Sequence, residues 1–489
     1  MAAMPFPPPA APYTMDGLNE HRFWGPGAHG HPSNSASPPQ APSPTSDDGG
    51  IGPATSSGIK STPIVQRMST GRLADDRQPI TTSVLSIMLE KELARDRHIL
   101  RSCTFLDPLF PAEKLPFPVD NLLLDQLTES KTWDPHQNCF TTKPTYDEPG
   151  MATWLNHLGD KMGEAFSKTP LRRWYHDFCN QPPDGSPIVR KPDLALMDPA
   201  CMQEGVKLKK SWGKILALGE VTSSKKSPKR MSETVDAKSY ILFCTQDDRR
   251  FAIALSFNGT GYFSLTVTDC QGQLRTGDCS LLEGKDNALT ILKILAMLMF
   301  GSFADIGLDP TMIRGPLDTV QSFFVNNHRY AVVKRIYAVH ALLGRGTKVY
   351  LVCRDSKFFI IKDSWVQPHR SESEVKQLEA IKAHAGNLNC IPTLVEHEDV
   401  KVHSEIDSTR RYRETVGLGT DLHWIHRRLV LTPVGEPIFG AQSKVEFLTV
   451  ILDVINGTLS LSVALVVKLI QAQQPFSTST ITSRSSTGI

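Results

Sequence analysis

The sequence predicts an α+β protein with two ordered blocks, and three observations support this prediction. Short apolar runs of strand length, separated by turn residues, fill residues 193–267 and 320–361. Longer segments with apolar residues at helical spacing flank these runs. Residues 1–60 carry 12 of the 35 prolines, a composition that buries too little apolar surface to fold. We therefore divide the chain into a disordered arm, 1–81, a first α+β block, 82–315, a second block, 316–456, and an atypical tail, 457–489.

The first block is predicted to combine three helices with five strands. The helices are Thr82–His98, Trp154–Phe166 and Asn287–Phe300. The strands are Asp193–Met197, Lys214–Val221, Ser239–Thr245, Phe251–Phe257 and Tyr262–Val267. Asn258-Gly259 between the last two strands predicts a hairpin turn.

The second block begins with four predicted strands, Val320–Val325, Tyr330–Ala341, Lys348–Cys353 and Phe358–Ile361. A helix is predicted over Ser371–Ala385, followed by short strands up to Thr432 and a helix over Lys444–Ile455. From Gly457 onward the chain is apolar and then rich in Ser and Thr, with no packing pattern that predicts a fold.

Composition and charge exclude several classes of protein. Lys plus Arg number 53 and Asp plus Glu number 51, a balance that excludes a charge-driven coat for DNA and gives no strong nucleic-acid signal. The nine cysteines form no C-x-x-C pair, so neither a disulfide framework nor a structural zinc or other metal site is predicted. No apolar stretch reaches membrane-spanning length. We expect a cytoplasmic or nuclear protein that does not bind membranes, and we interpret the basic stretch Lys225–Arg230 as a solvated loop.

Candidate phosphate-binding residues occur in the second block. Gly344 and Gly346 stand in a G-x-G turn between two predicted strands, where the missing Cβ lets backbone amides approach phosphate oxygens. Lys362 ends the next apolar strand, and Glu374 on the following helix can pair with it, with Glu379 as the alternative partner. A glycine turn, a strand lysine and a helix glutamate in this order are typical of the nucleotide-binding lobe of a protein kinase.

Several segments closely resemble the fungal-type protein kinase family. They are Leu343–Leu351, Phe359–Trp365, His426–Pro437 and Lys444–Ile455, together with Leu216–Thr222, Asp248–Phe251 and Gly307–Pro310 in the first block. The resemblance covers roughly residues 150–456 and implies a protein-kinase-like N-lobe preceded by a family-specific α+β domain. It also implies ATP and Mg²⁺ as cofactors and phosphoryl transfer to a protein substrate. By position, Gly344 and Gly346 would cover the phosphates, Lys362 would pair with them, and Glu374 would hold Lys362.

The sequence departs from the family where catalysis takes place. Phosphoryl transfer needs an Asp that orients the attacking hydroxyl, and an Asn and an Asp that hold magnesium. The sequence contains no H-R-D and no D-F-G, and the glycine turn lacks its third glycine. We therefore assign no catalytic residue and expect an incomplete C-lobe, weak or undetectable ATP binding and a catalytically dead chain. Our hypothesis for the tail after Asn456 is a read-through in the gene model.

Two other functions are alternatives. The disordered arm and the first block could act as a non-catalytic interaction or scaffold protein. Asp193, and Glu220 27 residues later, have a spacing that resembles the PD-(D/E)xK nucleases, in which both carboxylates hold magnesium and a lysine orients the attacking water. Thr222 takes the place of that lysine on the strand, and Lys225 and Lys226 have the wrong parity or lie in the following turn. This predicts at most a degenerate, nuclease-like core.

Overall fold

The computed structural model describes residues 82–100, 103–178, 182–186, 188–202, 210–223, 228–315, 318–368, 373–385, 391–418, 423–435 and 441–456. The predicted disordered arm, 1–81, and the predicted tail, 457–489, lie outside the described residues. The described residues belong to one compact unit, which contains both predicted blocks.

A mixed sheet forms the centre of the first block. Its strands are β1 (Arg97–Ile99), β4 (Arg173–Tyr175), β5 (Leu194–Met197), β6 (Ala217–Thr222), β7 (Phe251–Asn258), β8 (Tyr262–Asp269), β9 (Gly272–Arg275) and β10 (Cys279–Ser280). Their order is β1-β9-β8-β7-β6-β5-β4, with β10 paired to β8. The neighbours β4, β5 and β6 are antiparallel, whereas β6 and β7 are parallel. A separate pair, β2 (Trp133–Asp134) and β3 (Cys139–Phe140), lies outside this sheet.

Six helices accompany this sheet within the described residues. They are α1 (Thr82–Leu93), α2 (Leu106–Leu109), α3 (Asn121–Glu129), α4 (Glu148–Ala165), α5 (Pro228–Thr245) and α6 (Lys285–Phe300). From Ile291 to Phe300 helix α6 is apolar and buried apart from Lys293, as expected of a helix at the centre of a core. Helix α4 begins at Asp147, whose side chain accepts a hydrogen bond from the amide of Gly150 at 2.7 Å.

The sheet has a separate hydrophobic core on each face. In β7 the odd-numbered residues, such as Ile253 and Leu255, pack into a core with α6. The even-numbered Ala252 and Ala254 pack into a second core with α1 and α5. Because a strand alternates its side chains between faces, burial on both faces gives β7 its continuous apolar run.

The second block is built on an antiparallel sheet. Its strands are β11 (Met312–Arg314), β12 (Val320–Val325), β13 (His328–Ala338), β14 (Lys348–Arg354), β15 (Lys357–Val366), β16 (Thr393–Asp399) and β19 (Ile425–Thr432), in the order β11-β12-β13-β14-β15-β19-β16. Helix α7 (Glu374–Ala385) joins β15 to β16. A small pair, β17 (Lys401–Val402) and β18 (Glu405–Ile406), and a short helix, α8 (Arg410–Arg413), precede β19. Helix α9 occupies residues 444–456.

The predicted α+β class is confirmed, and two assignments were wrong. Residues 228–230, interpreted as the end of a solvated loop, are the first turn of helix α5. Ser239–Thr245, predicted as a strand, is the last part of helix α5. Tyr240, Ile241 and Leu242 are all buried against the second core, and a short apolar run of this kind occurs in buried helices as well as in strands. The helix predicted over Thr82–His98 ends at Leu93, and residues 97–99 form β1.

The two blocks share their cores. Leu342, which follows β13, is fully buried in the second core with Leu85 and Leu89 of α1. Tyr412 of α8 is buried in the core that contains α6. In the described part of the chain no helix is both long enough and apolar enough to span a bilayer.

Candidate nucleotide-binding site

A lysine–glutamate pair joins β15 to α7. Lys362 Nζ donates to both carboxylate oxygens of Glu374, each at 2.6 Å. Glu374 is the first residue of α7, where the helix dipole stabilises a negative charge. The side chains are 21% and 33% exposed, so a ligand can reach the pair from solvent. Glu379, the alternative partner, lies instead 3.9 Å from Nε2 of His397.

The glycine turn 344–346 connects β13 to β14 beside this pair. Gly344 and Gly346 both have positive φ, at 98° and 49°, which favours glycine. Arg345 Nη2 lies 3.5 Å from a carboxylate oxygen of Glu374, and the Arg345 carbonyl accepts from the amide of Trp365 at 2.8 Å. The turn therefore brings a second cation to the lysine–glutamate pair.

The first block holds the start of this turn. The Gly344 amide donates to the carbonyl of Cys270 at 2.7 Å, so this amide already has a protein partner. The Leu343 amide donates to Oε1 of Glu92 at 2.8 Å. Burial raises the pKa of Glu92, and the amides of Leu343 and Leu342 partly offset this effect. Sequence reasoning missed these contacts because they join residues more than 70 positions apart.

We expect Glu92→Ala to loosen the turn without unfolding the protein. Loss of one hydrogen bond to a charged group, with the Leu343 amide left without that acceptor, should lower the free energy of unfolding by about 1–3 kcal/mol. Amide hydrogen exchange of Leu343 and Gly344 should accelerate, whereas Glu90→Ala, an exposed position on the same helix, should leave it unchanged. Equal exchange in both variants would show that Glu92 does not hold the turn.

A buried ionic network lies on the face of β15 opposite Lys362 and links the two sheets. Its members come from five segments of the chain and are 9% exposed or less: Arg250, Asp309, Asp363, Asp407, His426 and Arg428. Arg428 Nε donates to Asp363 at 2.9 Å, and Nη2 of Arg428 pairs with Asp309. Arg250 Nη1 donates to Asp407 at 2.7 Å. This network connects strands β15 and β19 to the first block.

His426 lies at the centre of this network. Its Nε2 is 2.8 Å from Oδ1 of Asp363, and its Nδ1 is 3.3 Å from Oδ2 of Asp407. Burial alone would lower the pKa of His426, but the carboxylates of Asp363, Asp407 and Asp309 outweigh burial and raise it to about 9. Burial likewise acts to raise the pKa of Asp363, but His426 and Arg428 bring it below its ordinary value. His426 thus lies within strand β19, with a carboxylate at each ring nitrogen that favours its protonated form.

A second cluster of charged side chains lies in the first block. Asp193 immediately precedes β5, Glu220 is on β6, and Lys238 extends from α5 between them. Lys238 Nζ pairs with Oε1 of Glu220 and lies 3.5 Å from Oδ1 of Asp193. Sequence reasoning found no amine for these carboxylates, because it examined residues 222–226 and assigned the end of α5 to a strand.

Comparison with known proteins supports one family. Residues 191–467 match the family model described as fungal protein kinase, which is more than half of the 489 residues. Neither the search of curated proteins nor the search of solved structures finds a match. The matched range contains the Lys362–Glu374 pair, the glycine turn and the buried ionic network. The chain therefore belongs to the fungal protein kinase family.

Proposed function

We propose that β13–β16, β19 and α7 form the nucleotide-binding lobe of a protein kinase. The observation that carries this proposal is the Lys362–Glu374 pair, with both carboxylate oxygens on Nζ. In protein kinases a strand lysine that contacts ATP phosphates is held by a glutamate of the next helix. The sheet order supports the same assignment, because β13, β14 and β15 are neighbours in the sheet and α7 follows β15 along the chain.

The residues around this pair fit the triphosphate of ATP. Lys362 and Arg345 place two cations at the mouth of the glycine turn, and a Cβ added at Gly344 would meet no atom within 4 Å. Since the Gly344 amide already donates to Cys270, phosphate binding would rest on Lys362, Arg345 and the backbone near Gly346. When bound, ATP–Mg²⁺ would supply the transferable phosphoryl group.

We also propose that the chain as printed binds ATP weakly and transfers no phosphate. The printed residues contain neither H-R-D nor D-F-G, so they do not supply the Asp and Asn side chains that orient the hydroxyl and hold magnesium. The H-R-R segment at residues 426–428 lies in strand β19. The interaction or scaffold hypothesis stays a prediction, and the arm it invokes, 1–81, lies outside the described residues.

An acyl phosphate derivative of ATP tests this site even when binding is weak. Such a reagent acylates a lysine amine that lies beside its phosphates. We expect Lys362 to be acylated at least tenfold faster than the exposed Lys357 of the same strand, with excess ATP suppressing the difference. Equal, ATP-insensitive acylation of both lysines would contradict the nucleotide site.

Thermal unfolding tests the predicted weakness. If the dissociation constant exceeds about 1 mM, then 1 mM ATP–Mg²⁺ stabilises the fold by less than about 0.4 kcal/mol. We expect that small stabilisation to disappear in Lys362→Met and to persist in the control Lys357→Met. A large shift that vanishes in Lys362→Met would show that the chain binds ATP well and would contradict the weak-binding part of the proposal.

A further inference from the structure

The order of elements in the first block brings two carboxylates together. Strands β5 and β6 are antiparallel, with Leu194 opposite Gly219, so Asp193 and Glu220 are neighbours at one end of the pair. Asp193 is fixed there by its Oδ2, which accepts from the amide of Val221 at 3.0 Å. Glu220 lies on the sheet face that α5 covers, because its even-numbered neighbour Leu218 packs in the core with α5.

Lys238 of α5 completes the cluster. The side chain of Lys238 is 3% exposed and that of Glu220 is 6% exposed, whereas that of Asp193 is 28% exposed. A buried ion pair loses the hydration of both charges and adds little net stability compared with apolar residues. The three side chains carry a net charge of −1, which favours an added cation.

A cleft of about 370 Å³ opens onto this cluster. Its polar lining comprises three acidic residues, two arginines and hydroxyl side chains, among them Asp193, Glu220, Glu233, Arg190, Arg230 and Thr222. The Nε atom of Arg190 is buried and has no hydrogen-bond partner in the part of the chain that the structure describes. A buried donor without an acceptor is costly, so it points to an anionic ligand. The cleft thus offers carboxylates for a cation and guanidinium groups for an anion.

The ligand set indicates which cation fits. Among the described residues, no group of three or more His, Cys, Asp or Glu side chains could hold a metal ion. Mg²⁺ keeps several of its waters and binds through one or two carboxylates together with the phosphate oxygens of a substrate. Two carboxylates beside arginines match this coordination of Mg²⁺. They do not match the ligand sets of zinc or calcium.

We propose that Asp193, Glu220 and Lys238 form a second active site, which hydrolyses phosphodiester bonds of a nucleic acid with a divalent cation. The cation binds Asp193 and Glu220 and a phosphate oxygen, and it lowers the pKa of a bound water. The bound water gives up a proton to solvent, and its oxygen forms a bond to phosphorus while the bond to the leaving sugar oxygen breaks. The leaving oxygen keeps the electron pair and takes a proton from solvent. Lys238 positions both carboxylates, and Arg190 contacts the phosphate.

The test uses the full chain, with Mn²⁺ as the probe cation. Electron paramagnetic resonance of free Mn²⁺ measures binding, and supercoiled plasmid DNA and end-labelled single-stranded RNA measure cleavage. We expect Mn²⁺-dependent cleavage of at least one of the two nucleic acids. Asp193→Asn and Glu220→Gln should each weaken Mn²⁺ binding at least tenfold and slow cleavage at least 100-fold. Glu129→Gln, an exposed carboxylate at the end of α3, is the matched control and should change neither.

Three outcomes would overturn the proposal. They are no Mn²⁺ binding by the wild-type chain, no cleavage of either nucleic acid, and cleavage that survives both carboxylate substitutions. The asparagine and glutamine variants keep the side-chain volume, and circular dichroism of each variant verifies its fold. Lys357→Met, at an exposed position on β15, should cleave at the wild-type rate.

Discussion

Replacement of Arg428 by leucine is expected to lower the free energy of unfolding by about 3–5 kcal/mol, because it leaves the buried Asp309 without its nearest cation and the buried Asp363 with His426 alone. Arg428 is fully buried and pairs with Asp309 of the first block and Asp363 of β15. No water can solvate these carboxylates in place of the guanidinium, since Asp309 and Asp363 are 2% and 5% exposed. The loss should be seen as a lower urea midpoint with an unchanged slope.

The neighbouring residue provides a matched control for Arg428. Arg427 points to the other face of β19 and pairs with Asp399, with Nε 2.6 Å from Oδ1. Both side chains are partly exposed, so Arg427→Leu should cost about 1 kcal/mol or less. An equal loss of unfolding free energy in Arg428→Leu and Arg427→Leu would show that the buried network does not hold the two sheets together.

Four of the segments that resemble the family come together in this network. Asp248–Phe251, Gly307–Pro310, Phe359–Trp365 and His426–Pro437 are far apart in sequence, and each contributes a charged residue to the network or its rim. The sequence shows these residues as charges within apolar strands. Their pairing could not be predicted, because it depends on how the two sheets pack against each other.

Local order in the sequence was sufficient to predict part of the proposed nucleotide site. Turn, strand and helix follow one another between residues 343 and 385, so the order alone brought Lys362 near the start of the next helix. The contacts of Glu92 and Cys270 with the turn could not be anticipated, since both belong to the first block. The resemblance assigns the Gly344 backbone to phosphate binding, but its amide donates to the carbonyl of Cys270 in the first block.

In the first block, one wrongly predicted element concealed that Lys238 is the partner of Asp193 and Glu220. The spacing of Asp193 and Glu220 was visible in the sequence, and their lysine was sought on the same strand. Lys238 lies two turns before the end of α5, and its region was interpreted as a loop followed by a strand. A short apolar run does not show whether its period is that of a helix or of a strand. The element is decided by its packing against the second core.

His426 should make the stability of the protein depend on pH in the alkaline range. Its folded pKa, raised to about 9, lies above the ordinary value of 6.5, so the folded state binds a proton that the unfolded state releases. This contribution is fully present below pH 6.5 and is lost as the pH rises through 9. Because each pH unit between the two pKa values corresponds to about 1.4 kcal/mol, up to roughly 3 kcal/mol of unfolding free energy is at stake.

Urea midpoints of the wild type and His426→Gln at pH 6, 7.5, 9 and 10 would measure this contribution. Burial of a neutral glutamine beside Asp363 and Asp407 removes the charge at every pH, so the stability difference between the two proteins should be largest at pH 6 and should shrink toward pH 10. His328→Gln, an exposed histidine on β13, should follow the wild-type profile. The carboxylates around His426 remain ionised throughout this range, so their titration does not produce the effect. Parallel profiles for the wild type and His426→Gln would mean that folding leaves the pKa of His426 unchanged, and that the buried carboxylates do not stabilise its protonated form.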